Sequence, residues 1–129
     1  MKKLKFLAVF CLFIIGIQAN SQSKSCQYYR TGTFLLVDNQ MGLNVKIERT
    51  ETRQIESDLN TGKYTVFQVN WLNDCEYELT AIDGTSDLVS YFKTKKLILK
   101  ILDVYADGYR FEGHIKGTNT FKTQIMKVY

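Results

Sequence analysis

Proline is absent from all 129 residues, histidine and tryptophan occur once each, and cysteine occurs three times. Long exported loops usually contain proline, so its absence points to elements joined by tight connections. Alanine is scarce, whereas aromatic and β-branched residues are frequent, a composition that favours strands over helices. With His114 as the single imidazole, a His-rich zinc site and an H-E-x-x-H metalloprotease motif are excluded. There is no Gly-rich phosphate loop, no EF-hand and no serine nucleophile motif. No low-complexity tract, linker or internal repeat interrupts the chain, and a single domain is expected.

The chain opens with Lys2, Lys3 and Lys5, followed by an apolar run from Phe6 to Ile17 of roughly 12 residues, a signal-peptide length that is short for a membrane span. Ala19-Asn20-Ser21 fits a small-x-small cleavage pattern. Residues 1–21 are therefore expected to be a signal peptide, and 22–129 a single mature domain starting at Gln22, exported to the periplasm or beyond the cell with no stable membrane span. The full chain carries 17 basic and 13 acidic residues, a net +4. Loss of the three signal lysines leaves 14 against 13, a net +1. The basic balance thus belongs to targeting, and a nucleic-acid partner, which needs a basic stripe, is not expected. Lys93, Lys95, Lys96 and Lys100 read as a solvated sheet face. Cleavage also removes Cys11. Cys26 and Cys75 remain, and in an exported chain two cysteines read as one disulfide.

Alternation of apolar and polar residues marks strands. Thr31–Val37 is a short apolar run. Leu43, Val45 and Ile47 form one face, Ile55 marks Arg53–Asp58, and Phe67, Val69 and Trp71 share a side. Cys75, Tyr77 and Leu79 follow. Leu97–Val104 is apolar on both faces. Tyr109, Phe111, Gly113 and Ile115 alternate, and Phe121, Thr123 and Ile125 line the last strand. Turn chemistry separates these runs at 38–42, 60–62, 73–74, 107–108 and 117–119, with Asp107-Gly108 the strongest hairpin signal. Ser86 is placed to cap a short helix or crossover near 86–93. The expected fold is all-β, an antiparallel up-and-down meander of about eight strands curling into a small barrel or half-barrel. A β-sandwich is the alternative.

Cys26, Thr31-Gly32-Thr33-Phe34, Ile47-Glu48-Arg49-Thr50, Gln54-Ile55-Glu56 and above all Trp71-Leu72-x-Asp74-Cys75-Glu76-Tyr77-x-Leu79 resemble a family of small exported proteins of flavobacterial type. The resemblance spans nearly the whole mature chain and implies export without implying an activity. Some members carry a DNA topoisomerase name. That chemistry needs a DNA-binding scaffold, a tyrosine with a basic partner and a metal-binding carboxylate cluster, none of which the sequence supports. More faintly, the layout resembles lipocalins and fatty-acid-binding proteins. Gly32-Thr33-Phe34 stands where that group has Gly-x-Trp, with Phe34 for the tryptophan. The arginine that the group places over this ring from the last strand is missing, and only Lys122 and Lys127 stand there.

Three residues are candidates for ligand binding. Trp71 is a core ring, or alternatively an aromatic floor. Tyr77 has a hydroxyl able to reach a ligand or a backbone group. Arg49 follows Leu43, Val45 and Ile47 in parity, so it turns toward the interior or its rim. There it would pair with a glutamate such as Glu51 or Glu78, or hold a ligand carboxylate. Arg53 is a weaker version of the same idea. His114 is expected on the solvent face, and Glu76 with Glu78 are solubilising charges. No catalytic residue, metal or cofactor is expected. The sequence thus points to a monomeric, non-enzymatic β-barrel protein. It binds a small apolar or amphipathic ligand, or else has a filled core and serves as a structural or protein-interaction module. Large inward side chains at Phe67, Trp71, Tyr77, Leu99, Phe111 and Ile125 weigh toward a filled core.

Overall fold

The computed structural model describes residues 25–129, so the expected signal peptide lies outside the described residues. A short 3-10 helix (Cys26–Tyr29) leads into β1 (Gly32–Asp38), β2 (Leu43–Arg49), β3 (Arg53–Asp58), β4 (Tyr64–Asn73) and β5 (Glu76–Gly84). After helix α1 (Leu88–Thr94) come β6 (Leu97–Val104), β7 (Gly108–Ile115) and β8 (Phe121–Lys127). Each strand pairs antiparallel with the next, and β8 returns to β1, closing an eight-stranded barrel. The sandwich and the open half-barrel are thereby replaced by closure, in which every strand has a neighbour on both sides.

The closing seam is short. Phe34 faces Lys127 and Leu35 faces Met126. The Thr33 amide donates to the Tyr129 carbonyl (3.0 Å) and the Val128 amide to the Thr33 carbonyl (2.8 Å). Near the other end of β1, the Thr123 hydroxyl donates to the Asp38 carboxylate at 2.7 Å.

Side-chain oxygens set the tight turns. Asp38 accepts the amides of Gln40 and Met41 (3.0 and 3.1 Å). Asp58 accepts those of Asn60 and Thr61 (2.8 and 3.3 Å). Asn73 accepts the Cys75 amide (3.0 Å). These are Asx turns, in which the side chain copies a backbone turn. The Asp107-Gly108 turn forms, yet Gly108 is outside the left-handed region. Its place is explained by the backbone of Ile125 on β8, which leaves no room for a side chain. The expected helix also forms. Ser86 accepts the Leu88 amide at 3.2 Å, although the cap position itself falls to Asp87.

Up-and-down connectivity sorts the connections to two ends. The β2–β3, β4–β5 and β6–β7 turns share one end with the N-terminal 3-10 helix, which is tied there by the Cys26–Cys75 disulfide. The Tyr29 hydroxyl donates to the Tyr105 carbonyl (2.6 Å), and Gln27 and Arg30 both reach the Asp74 carboxylate (3.1 and 3.3 Å). Fully buried Tyr29 stops this end, packed among Phe34 and Tyr109.

The disulfide joins residues 49 apart in sequence, and a cross-link of that span stabilises by about 4 kcal/mol in the chain-entropy treatment. Replacing Cys26 and Cys75 together by serine should lower the unfolding free energy by about this amount in chemical denaturation, with the β-sheet circular dichroism retained. An unchanged midpoint would mean that the hydrogen bonds of the 3-10 helix suffice to seal the end.

Candidate functional site

Arg49, the last residue of β2, points into the barrel as its parity requires and is 3% exposed. Its Nε donates to Gln54 Oε1 (2.6 Å) and Nη1 to the Tyr29 carbonyl (2.8 Å). Nη2 donates to both the Tyr77 and Tyr109 hydroxyls (2.9 Å each). The two hydroxyls bond each other at 3.0 Å. The guanidinium carbon lies 4.7 Å from the ring centres of both Phe34 and Tyr77. The cation over Phe34 therefore comes from β2, while Lys127 of the last strand lies over Tyr28 (4.0 Å) and donates to its carbonyl.

This arrangement replaces the expected ion pair. Glu78 is bound by Asn70 (2.8 Å) and Lys96 (3.2 Å), and Glu51 lies on the exposed β2–β3 turn. Among the described residues no ion pair reaches Arg49. Neutral oxygens solvate it, and the compensating charge sits one residue removed. The Gln54 Nε2 donates to Glu56 at 2.7 Å, making an Arg49–Gln54–Glu56 relay along the wall. Register explains the relay. Val45, Ile47 and Arg49 of β2 stand directly opposite Asp58, Glu56 and Gln54 of β3. The inner face of β3 is thus polar throughout, and its one apolar residue, Ile55, faces out. Burial raises the Glu56 carboxyl above the usual range, opposed by the Gln54 amide and by Arg49. Burial likewise keeps Tyr77 a neutral phenol, its pKa raised well above that of a free tyrosine.

Beyond Tyr77, toward the opposite end, the barrel is not filled. A cavity of about 550 Å³ extends to the mouth formed by the β1–β2, β3–β4 and β5–β6 connections. Leu36, Ile47, Leu99, Phe111 and Ile125 make its apolar wall, with Leu43, Val45, Leu97 and Phe121 nearer the mouth. Phe92 of α1 closes one side and packs on Phe67 at 6.0 Å. The polar groups are Gln54, Glu56, Thr65 and the Tyr77 phenol within, then Asp58, Thr61, Lys63, Ser86 and Asp87 toward the rim.

The three candidate residues separate. Tyr77 lines the cavity floor. Arg49 lies behind Tyr77 and Gln54, outside the lining, with its donors engaged by the protein. Trp71 lies farther out at the sealed end, stacked on Tyr77 (4.5 Å) beneath Arg30 (4.8 Å), and its indole nitrogen has no partner. It packs against the core and lies outside the cavity lining. Arg53 is exposed. His114 stands opposite Ile98, on the outer face. Gln54, Glu56 and Asp58 were not foreseen. The usable signal was the parity of Arg49, because an inward arginine demands polar partners on the next strand.

No protein-family model, curated protein or solved structure matches this chain.

Replacing Arg49 by Met should cost about 3 kcal/mol, because four buried acceptors lose their donor. Arg49→Lys should cost less but remain destabilising, since an ammonium cannot serve the fork of acceptors. Denaturation midpoints decide, and a Met variant as stable as the parent would show the network to be dispensable. Glu56 gives a pH signature. Its raised folded pKa means that its stabilising contribution is full below about pH 4 and is lost as pH rises through the folded value. Glu56→Gln should therefore gain stability relative to the parent as pH rises toward neutrality, with no gain at the acid end. The opposite trend would mean that Arg49 outweighs burial.

Proposed function

We propose that this protein is an exported, non-enzymatic binder of a small apolar or amphipathic molecule held inside the barrel. The observation that carries the reading is the cavity. Its volume of about 550 Å³ falls within the ~300–1,000 Å³ of small-molecule sites. Its wall is apolar, and its few polar groups converge on one side. The filled-core alternative describes the sealed half of the barrel only, where Tyr29, Phe34, Tyr77 and Tyr109 leave no space.

Export is supported by the intramolecular disulfide, a bond favoured in oxidising compartments. Among the described residues no helix is long and apolar enough to cross a membrane. The non-enzymatic part of the reading rests on the outward position of His114 and on a cavity whose polar groups include no imidazole or thiol to activate a nucleophile.

Val45 projects into the open part of the cavity, so Val45→Trp should fill it. Binding of an environment-sensitive apolar fluorophore should weaken at least about tenfold, the scale expected when a site loses a few methylenes' worth of contact. The far-ultraviolet circular dichroism should stay unchanged. Equal affinity in both proteins would place the fluorophore outside the barrel and remove the support for a carrier.

A further inference from the structure

The cavity has a definite polar end, and its chemistry selects the ligand's headgroup. Among the described residues, Glu56 alone brings a carboxylate to the inner part of the cavity, with Asp58 and Asp87 at the rim. One of its oxygens is fixed by the Gln54 amide at 2.7 Å. The Gln54 carbonyl is in turn held by Arg49 at 2.6 Å, so the carboxylate is oriented from behind rather than loosely placed. Arg49 is shielded from the cavity by Tyr77 and Gln54, and its four hydrogen bonds go to the protein. A ligand carboxylate entering here would meet an acceptor of its own sign while the nearest cation is already occupied. At the mouth, exposed Lys63 is outnumbered by Asp58 and Asp87, so the rim adds no positive field.

We infer that the bound molecule is an amphiphile whose polar end is a hydrogen-bond donor without negative charge, an ammonium or a hydroxyl, seated on Glu56 with its chain against Leu36, Leu99 and Phe111. This deepens the carrier reading and depends on it. A donor at Glu56 satisfies the one charged acceptor of the inner cavity. A buried carboxylate facing apolar wall is costly until such a donor arrives. Burial, which pushes the carboxyl upward, is the physical expression of that cost. The same position repels a fatty acid, so the selectivity is built from repulsion as well as attraction.

Three chain-matched probes test this: dodecylamine, dodecan-1-ol and dodecanoate, each displacing an apolar fluorophore from the disulfide-intact protein at neutral pH and below its micelle threshold. The amine should bind at least about tenfold more tightly than the carboxylate, the low end of what a charge-assisted hydrogen bond contributes, with the alcohol between them. In Glu56→Gln the advantage of the amine over the alcohol should shrink to within about threefold. Dodecanoate binding as tightly as the amine, or an amine preference untouched by Glu56→Gln, overturns the headgroup assignment while leaving the carrier standing. Failure of all three probes to displace the fluorophore removes both.

Discussion

A single buried positive charge organises this barrel. Desolvating a guanidinium costs several kcal/mol unless its donors are met, and no one strand can meet those of Arg49. The acceptors come from the N-terminal 3-10 helix (Tyr29), β3 (Gln54), β5 (Tyr77) and β7 (Tyr109). Satisfying one side chain therefore fixes four distant segments relative to β2. Phe34 of β1 adds a ring face, so five of the barrel's walls meet at this point. The disulfide acts on the same assembly. By holding Cys26 against Cys75 it keeps Tyr29, three residues further on, where its carbonyl can accept from Arg49.

That assembly divides the interior. Around Arg49 the barrel is packed with aromatic rings, several meeting edge-on or tilted at centroid separations of 5.3 to 6.4 Å. Such contacts stabilise beyond the area they bury. Toward the mouth the inward side chains are mostly Leu, Val and Ile, with Phe111 and Phe121 among them, and they leave the cavity unfilled. Glu56 sits at the boundary, linked to the packed half through Gln54 and open to the unpacked half. The carboxyl that Arg49 and Gln54 draw toward its charged form against burial is the carboxyl that a ligand meets. Structural and binding roles are thus joined through one amide side chain.

Much of this was legible in the sequence because it is local. Period-2 alternation placed the strands, Asp and Asn turns placed their ends, and parity turned Arg49 inward. Two cysteines in a chain read as exported defined the bridge. What escaped depends on pairing between strands. Ile55, the one apolar residue of β3, marked the strand without telling which face turns inward, and it points outward. The register with β2 sets Gln54 and Glu56 opposite Arg49 and Ile47. The polar need of one inward arginine overrides the apolar preference of one isoleucine. Trp71 was legible by parity: it continues the face of Phe67 and Val69, stands opposite Tyr77 and packs against the core, and the β-bulge comes only after it. The cavity escaped because counting large inward residues says nothing about their height in the barrel. Tyr77 belongs to the sealed half, Trp71 packs on it at that same end, and neither occupies the mouth.

A thin part of the wall follows from the same pairing. β5 and β6 pair only through Glu76–Leu79 and Leu97–Lys100, while β5 continues to Gly84 without its neighbour. Helix α1 fills the widening gap. It is seven residues long, none of them fully buried, and its cap residue Asp87 makes no side-chain cap bond. An isolated helix of this length has little stability of its own, so α1 is held by contacts such as Phe92 on Phe67. Elsewhere the cavity is bounded by strands, with the ladder short again at the β1–β8 seam. With no buried residue of its own, α1 belongs to the segments that open locally before the fold does. The strands hold the shape of the cavity, and α1 closes the side that the short β5–β6 ladder leaves open.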